Sequence, residues 1–373
     1  MDDERQGGTD RERGNVAHTA GSQQQTVPES TVLGRRHRRG FTRVSTLFVA
    51  GLLIVLVLVP VFSPSDSTLL LLANVAMYTA LGSNWNLISG YTGYIDFGHA
   101  VFFGLGGYTT AILMTHYDLP LLATFPIAVA VAAAFALIIG IPMLRVRGIY
   151  FSIGMLGAFL GAREVARLLP ITNGGSGLTI PPWIAENGRT YFYYGFLALA
   201  VIGVGVLAWV RKSQLGSSLL AVREDEEGAA ARGVNTTAVK LAAFVVAGSL
   251  TSLVGALWAY QNTFVDPDIL FRNELLLYLA LVVLVGGLGT VWGPAVGAVI
   301  VIIVRDVLAA NFVQLHTLIL GVFLLAVVLL MPAGILGFRP TGARSLLDRH
   351  LSKLRAPMSG TGDNNQRDGK EER

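Results

Sequence analysis

Two ionisable side chains, Asp96 and His99, lie three residues apart in a stretch of sequence that is otherwise apolar and rich in glycine. Residues at this spacing share one face of a helix, so the pair has the chemistry of a proton relay. A carboxylate here can equally cap the helix that begins near His99, or hydrogen-bond locally. Local bonding or capping is the interpretation that the sequence favours, although ionisable groups inside a membrane are functional candidates by default.

Charged residues also stand near the ends of two other apolar segments. Glu164 and Arg167 have the i, i+3 spacing of a helical ion pair, and Arg305 is followed directly by Asp306. Arginine side chains reach the membrane interface from such positions, so we expect two interfacial ion pairs. An ion-coupled secondary transporter would instead need Asp96, His99 or the Arg305–Asp306 pair as its ion site.

The sequence contains none of the common enzyme motifs. No G-x-x-x-x-G-K-[ST] phosphate loop, no H-E-x-x-H zinc motif and no G-x-S-x-G nucleophile motif occurs in the 373 residues. The count of 0 Cys excludes disulfide bonds, thiolate metal sites and a cysteine nucleophile. We therefore expect a chain that is not an enzyme and that binds no cofactor and no metal. Any ATP must be used by partner subunits.

The composition indicates the class of protein that positions these residues. Hydrophobic residues make up 53% of the chain and charged residues only 14%, against about 45–50% and about 25% in soluble domains. Lys and Arg cluster in residues 1–43, 211–240 and 333–373. Because such a residue at the centre of a spanning helix costs about 2.5–3.5 kcal/mol, this partition predicts a multi-pass protein of the cell membrane. The net charge of +4 gives no support for a nucleic-acid partner.

The apolar segments predict an all-α, polytopic transmembrane helix bundle of about ten spans (8–10), since a bilayer needs about 20 helical residues per span. The basic cluster Arg35–Arg39 places the N-terminus in the cytoplasm, and the 211–240 loop and the C-terminus follow on the same side. Residues 1–43 are predicted to be a disordered basic tail, residues 44–335 the transmembrane domain and residues 336–373 a polar cytoplasmic tail. The predicted spans are Ser45–Phe62, Leu69–Leu87, His99–His116, Leu121–Leu144, Ile149–Leu168, Tyr191–Val210, Leu241–Tyr260, Glu274–Gly287, Pro294–Ala309 and Gln314–Met331.

Two glycine-rich runs, residues 90–108 and 286–297, depart from simple spanning helices. In the second run, Gly289, Gly293 and Gly297 repeat every four residues, the spacing that lets two helix backbones approach closely. Helix packing is the interpretation that the sequence favours for these runs. The alternative is a broken helix whose free backbone groups line a solute path. The candidate residues of that path are Gly93, Asp96, Gly98, His99 and Tyr108.

A polar loop over residues 211–240 separates two of the predicted spans. An acidic run, residues 224–227, is followed by three alanines, residues 229–231, and then by Gly233. A short helix with few large side chains can lie flat against another protein. A solvated charged loop is the plainer interpretation, but the order of apolar, charged and small residues favours a surface that binds a partner.

Four blocks of the sequence, in order, resemble the branched-chain amino acid permeases of the LivM type, which belong to ABC importers. Residues 90–108 are similar to the family pattern G-Y-x-G-x-x-S-x-G-H-A-x-F-F-G-x-G-A-Y. Residues 145–151 and 174–178 are similar to R-x-R-G-x-Y-F and G-G-x-x-G-L. Residues 223–235 resemble the coupling segment R-E-N-E-x-A-A-E-A-L-G-I-N, and residues 286–294 resemble G-G-x-G-S-x-x-G-P.

This resemblance implies a permease subunit of an ATP-driven importer that carries leucine, isoleucine and valine into the cytoplasm. The implied partners are two ABC ATPase subunits, a second related permease subunit and an extracytoplasmic solute-binding protein. ATPase closure would push the 211–240 loop as a lever and move the spans at its two ends. Backbone near Gly93 and Gly98 would hold the solute's carboxylate. The implied coupling residues are Arg223, Glu226, Glu227, Ala229, Ala230 and Gly233.

Two positions depart from the family pattern. Asp96 stands where Ser is commoner, and Ala230 stands where the coupling segment has Glu, so we expect the acidic docking contact at Glu226 or Glu227. Importers of urea and short-chain amides share these blocks, which makes such a solute the alternative to an amino acid. An ion-coupled transporter, a passive channel and a membrane scaffold are the alternatives from other classes.

Overall fold

The computed structural model of the chain describes residues 51, 53–62, 65–182, 188–311, 316–330 and 334–337. Two units are distinguished, Met1–Val59 and Pro60–Arg373. A short apolar helix, Leu53–Phe62, includes most of what is described of the first unit. The predicted tail over residues 1–43, the start of the first predicted span and residues 338–373 lie outside the described residues.

The second unit is built almost entirely of α-helices, which confirms the all-α prediction. A two-stranded antiparallel sheet pairs β1 (Leu178–Thr179) with β2 (Phe264–Val265). Each predicted span from the second to the tenth coincides with a helix. The helices are α1 (Asp66–Thr92), α2 (Ala100–Tyr117), α3 (Leu121–Met143), α4 (Ile149–Leu168), α5 (Gly188–Lys212), α6 (Gln214–Glu224), α7 (Glu226–Ala231), α8 (Thr236–Asn262), α9 (Pro267–Leu270), α10 (Asn273–Gly286), α11 (Gly293–Asn311), α12 (His316–Leu330) and α13 (Gly334–Gly337).

Five helical segments of the described chain are long and apolar enough to cross a membrane: Leu121–Met143, Ile149–Leu168, Gly188–Lys212, Thr236–Asn262 and Pro267–Gly286. The last segment joins α9 to α10 and reaches 20 residues, whereas α10 alone has only 14. The predicted eighth span is therefore longer than its apolar run suggests, because a helical turn begins at Pro267. These segments show a multi-pass membrane protein.

The centre of the bundle is formed by α1 and α8. α1 packs against α5, α8, α10 and α11, and α8 packs against α2 and α3 as well. Every residue of α1 from Ala76 to Thr92 is buried, which is typical of a helix surrounded by other helices. α3 is different, because its buried residues form one stripe of small side chains at every fourth position: Thr124, Ala128, Ala132, Ala136 and Gly140. The rest of α3 presents apolar side chains outward.

Small residues set the closest helix contacts. A Cβ added at Gly106 of α2 would overlap the carbonyl of Ser252 on α8, and one at Gly255 would overlap the carbonyl of Phe103. Only a residue without a side chain allows backbones to approach in this way. These contacts hold α2 against α8 and so fix the start of α2, where the first glycine-rich run lies.

The second glycine-rich run serves two purposes. A Cβ at Gly297 would overlap the carbonyl of Val282, and the carbonyl of Gly293 occupies the space beside Gly286. Gly293 and Gly297 therefore lie where α10 and α11 pack closely. Gly289 differs from the helix-packing prediction: it lies in the turn between the two helices with a φ of +78°, a left-handed conformation that favours glycine.

Candidate coupling site

Residues 211–240, called here the coupling segment, fold into α6, α7 and the first turn of α8. Ser213 caps α6 by accepting a hydrogen bond from the Gly216 amide at 3.3 Å, and Asn235 caps α8 by accepting one from Ala238 at 3.1 Å. Gly233, with a φ of +87°, follows α7 in the left-handed conformation common after helices. Capping residues and one glycine thus divide the segment into three helical pieces.

Glu226 is the centre of a charge cluster on the inner side of the coupling segment. Its Oε1 accepts a hydrogen bond from Lys240 Nζ at 2.7 Å, and Lys240 is 1% exposed. Its Oε2 accepts a hydrogen bond from the hydroxyl of Tyr94. The Lys240 ammonium also lies 4.5 Å from the centroid of the Tyr94 ring. The cluster connects the coupling segment to the residues between α1 and α2.

The electrostatics of this cluster favour the ionised form of Glu226. Burial acts to raise the pKa of Glu226, but the hydrogen bonds from Lys240 and Tyr94 and the charges of Lys240 and Arg147 outweigh it, so that this pKa lies below its ordinary value. The pKa of the Tyr94 hydroxyl is raised by burial and by its bond to the Glu226 carboxylate. At neutral pH the tyrosine therefore donates and the carboxylate accepts.

Glu227, on the outer side of α7, makes a weaker contact. Its Oε1 accepts a hydrogen bond from Arg147 Nη1 at 2.6 Å, and the two side chains are 59% (Arg147) and 79% (Glu227) exposed. This bond raises the pKa of the Arg147 guanidinium. Exposed pairs contribute about 0–1 kcal/mol to stability. Glu227 is therefore free to exchange Arg147 for a partner at little cost.

The outer face of α7 is small and flat. Ala229 is buried, whereas Glu227, Ala230 and Gly233 are exposed, and nothing lies within 4 Å of a Cβ built at Gly233. Two of the alanine positions thus have different roles, because Ala229 packs inward and Ala230 faces outward. The exposed residues to which the sequence assigns docking thus include one carboxylate, and their docking role stays a prediction.

Arg223, at the end of α6, connects the coupling segment to both glycine-rich runs. Its Nη1 donates a hydrogen bond to the carbonyl of Gly90 at 2.6 Å. A Cβ added at Gly289 would lie 2.5 Å from the same Nη1, and one added at Gly93 would lie 3.2 Å from the Arg223 Cγ. Two runs separated by almost two hundred residues therefore meet at one guanidinium.

Asn86 completes this junction. Its side-chain amide donates to the carbonyl of Thr290 and its oxygen accepts from the amide of Gly289, both at 2.8 Å. Asn86 thereby joins α1 to the turn between α10 and α11. The available signal was an amide in an otherwise apolar helix, which needs a hydrogen-bond partner when buried.

Asp96 and His99 form a fully buried pair, each 0% exposed. His99 Nδ1 lies 3.0 Å from Asp96 Oδ2, and His99 Nε2 lies 2.9 Å from the hydroxyl of Thr251 on α8. The other carboxylate oxygen accepts the amide of Gly98 at 2.9 Å. Every polar side-chain atom of the pair therefore has a partner. Asp96 bonds locally, as the sequence favours, but α2 begins after His99 without a side-chain cap.

The remaining residues of the predicted path lie elsewhere. The Cα of Gly98 packs against the carbonyl of Met155 on α4, with no room for a side chain. Tyr108 stacks on Phe271 with ring centroids 6.1 Å apart and borders an apolar cavity of about 530 Å³ between α2, α3 and α4. The structure thus places Gly93 at the coupling segment, Asp96, Gly98 and His99 at the start of α2, and Tyr108 farther along that helix.

No group of three or more His, Cys, Asp or Glu side chains within the described part of the chain is arranged to hold a metal ion. The features that are present are a helix bundle with several membrane-spanning helices and a polar segment whose charged groups reach into it. These features define a multi-pass membrane protein.

The chain belongs to the family described as branched-chain amino acid transport system / permease component, whose model matches residues 67–328. It is 29% identical over 330 residues to the LivM permease protein of the high-affinity branched-chain amino acid transport system of Escherichia coli K12, covering 80% of this chain and 76% of that protein. The LivM protein of Salmonella typhimurium is 28% identical with the same coverage. The LivH permease protein of Escherichia coli K12 is 25% identical over 286 residues, covering 70% of this chain and 91% of LivH. No solved structure matches the chain.

Proposed function

We propose that this chain is one of two related permease subunits of an ATP-driven importer that carries branched-chain amino acids into the cytoplasm. The family and the names of its LivM and LivH relatives support the solute class. Two ABC ATPase subunits bind on the cytoplasmic side and hydrolyse the ATP, and an extracytoplasmic binding protein delivers the solute. In this proposal about ten spans cross the membrane, and the coupling segment and both termini are cytoplasmic, which fits the clusters of Lys and Arg.

The observation that carries this proposal is the contact of Arg223 with both glycine-rich runs. A push on the outer face of α7 reaches the end of α1 through Gly90 and the α10–α11 turn through Gly289. The same push reaches the start of α2 through the bond between Glu226 and Tyr94. The lever therefore acts on α1, α2 and α10 in addition to the flanking helices α5 and α8, which were the only spans that the sequence suggested.

Alternating access follows from this geometry. The zwitterion of an amino acid cannot enter hydrocarbon, so the permease must open a polar path to one side at a time. Side chains that connect several helices at one end allow ATPase closure to move those helices together. In this proposal Asp96 and His99 hold α2 against α8 during the movement. Gly93, which has no side chain, leaves room for the side chain of Arg223.

The test uses the complete importer reconstituted in lipid vesicles. It compares the activities of Arg223→Ala with those of Arg145→Ala. Arg145 is an exposed arginine in the neighbouring α3–α4 connection and serves as the matched control. We expect Arg223→Ala to reduce solute-stimulated ATP hydrolysis and leucine uptake at least about tenfold, the size of a typical coupling energy. Arg145→Ala should retain both activities.

Other outcomes would contradict the proposal in distinct ways. Leucine uptake by the chain without ATPase subunits would identify a secondary transporter or a channel. ATP-driven uptake of urea or acetamide with no uptake of leucine would identify the alternative solute. Normal coupling in Arg223→Ala, and also in Gly233→Leu and Glu227→Lys on the outer face of α7, would refute the role of the coupling segment.

A further inference from the structure

A second polar cluster lies away from the coupling segment, level with the middle of α1, where α1, α8, α10 and α11 meet. We call Tyr78, Trp258, Arg272, Tyr278 and Arg305 the arginine–tyrosine cluster. The rings of Tyr78 and Tyr278 are 5.6 Å apart, and the Arg305 guanidinium lies 5.6 and 5.7 Å from their centroids. The Arg272 guanidinium lies 5.5 Å from the Trp258 ring. Tyr78 precedes the Arg223 contact at Gly90 by twelve residues, about 18 Å along α1.

The cluster holds buried hydrogen-bond donors that nothing in the described protein uses. Tyr78 is 1% exposed, and its hydroxyl has no hydrogen-bond partner among the described residues. The buried Nε of Arg272 likewise lacks a partner there. Such groups are rare in folded proteins because each one loses its bonds to water without replacement. Four other such atoms occur in the described residues, on Asn84, Tyr91, Tyr108 and Arg163. At the cluster, two such atoms occur together with the guanidinium of Arg305, and this combination suits a ligand that accepts hydrogen bonds.

Arg305 adds further donors and a positive charge. Its side chain is only 17% exposed, and its Nε and Nη2 bind the same oxygen of Asp306 at 2.8 and 2.7 Å. A guanidinium has five N–H donors, so three are left after the contact with Asp306. The sequence suggests that Arg305 turns towards the membrane interface, but the structure turns it inward onto two tyrosine rings. A buried arginine in a membrane protein is a functional candidate by default.

The chemistry of the cluster fits an aliphatic amino acid. Guanidinium groups bind a planar carboxylate through paired hydrogen bonds, and a tyrosine hydroxyl can donate a further one. Asp306 and Glu274 bring negative charge to the same place, which suits an ammonium group. The aromatic rings provide apolar surface for a hydrocarbon side chain. A neutral solute such as urea has no charged group to pair with either the guanidinium groups or the carboxylates.

We infer that the arginine–tyrosine cluster binds the α-carboxylate of the transported amino acid on its way through the permease. This inference rests on the proposed function and specifies where the solute binds. The location suggested by the sequence, near Gly93 and Gly98, is occupied by Arg223 and by the backbone of Met155. The cluster instead lies in the half of the bundle that an imported solute meets first when the coupling segment is cytoplasmic.

The experiment uses the complete importer with Tyr78→Phe and Arg272→Gln, and it measures leucine transported per ATP hydrolysed. Tyr78→Phe removes the hydroxyl and keeps the ring that faces Tyr278 and Arg305. We expect each variant to lower the ratio about tenfold, as for the loss of a hydrogen bond to a charged group, while solute-bound binding protein still stimulates ATP hydrolysis. Arg272→Lys keeps the positive charge and should give an intermediate ratio.

Two control variants match the chemistry at sites outside the cluster. Tyr91→Phe removes another buried hydroxyl that lacks a partner in the described structure, at the coupling end of α1. Arg189→Gln removes an exposed arginine that pairs with Asp66 near the start of the same helix. Both controls should keep the ratio of leucine to ATP, and the melting temperatures of all five variants should show that they are folded.

The results separate the inference from the proposed function. A wild-type importer that moves leucine, together with an unchanged ratio in Tyr78→Phe and Arg272→Gln, overturns the cluster as the binding site and leaves the proposed function intact. A wild-type importer that moves no branched-chain amino acid overturns both. A lower ratio in the cluster variants with normal controls supports the inference.

Discussion

Two levels of α1 carry polar clusters of opposite character. At the coupling end, Glu226 receives hydrogen bonds from both Lys240 and Tyr94, and Arg223 reaches the carbonyl of Gly90. At the middle of the helix, the hydroxyl of Tyr78 is buried without a partner in the described structure. Charged groups that bond one another can transmit force, whereas unused donors are available to a ligand. In our two proposals the same helix joins a mechanical contact to a binding site.

The sharpest test of this contrast is Glu226→Gln, for which we expect the largest loss of stability. The substitution leaves the ammonium of Lys240, which is 1% exposed, without its carboxylate. Breaking one side of a buried ion pair costs about 3 kcal/mol or more. The melting temperature of the purified importer measures the loss. The double variant Glu226→Gln/Lys240→Met should recover much of the lost stability, because it leaves no unpaired lysine. A double variant that is as unstable as Glu226→Gln would show that the loss does not come from the broken ion pair.

A pair of tyrosine substitutions compares the two clusters directly. Tyr94→Phe loses a hydrogen bond to a charged carboxylate, so we expect a loss of about 1.5–3 kcal/mol in the free energy of unfolding. The Tyr78 hydroxyl has no bond to a carboxylate in the described protein, so Tyr78→Phe should cost clearly less. Thermal unfolding of both variants without solute makes the comparison. Equal losses would mean that Tyr78 has a strong structural partner, and the contrast between the two clusters would disappear.

The smallest expected effect is a pH dependence confined to acid. The folded pKa of Glu226 lies below its ordinary value of 4.5, so its contribution to stability is fully present above that pH and is lost as the pH falls through the lowered pKa. We expect the melting temperature of the wild-type protein to approach that of Glu226→Gln as the pH falls through the lowered pKa of Glu226. Glu224→Gln, at an exposed carboxylate in the same segment, should not change this pattern.

The helices and the residues of the coupling segment could be predicted from the sequence because both depend on local patterns. Apolar runs of fixed length give helices whatever surrounds them. The order of charged, small and capping residues in the coupling segment likewise forms its short helices locally. The predicted eighth span was too short only because Pro267 begins a helical turn ahead of the apolar run. Membrane sidedness and the count of ten spans stay predictions.

The sites could be predicted only in part, because spacing along a helix does not say which neighbour a side chain meets. Asp96 and His99 were correctly paired, yet their third partner, Thr251, comes from a distant helix. Gly289 fitted a packing repeat but lies beside Arg223 in a turn. Arg305 fitted an interfacial ion pair, and its position over Tyr78 and Tyr278 depends on how α1, α10 and α11 pack.

By itself the sequence determined that this is an all-helical membrane permease with a polar segment between two of its long helices, because hydrophobic length, charge distribution and glycine spacing act over short stretches of chain. Only the tertiary structure decided that Arg223 joins both glycine-rich runs and that unpartnered atoms of Tyr78 and Arg272 occur in one cluster with Arg305. The physical reason is that hydrogen bonds and close backbone contacts depend on distances between residues that are far apart in the chain.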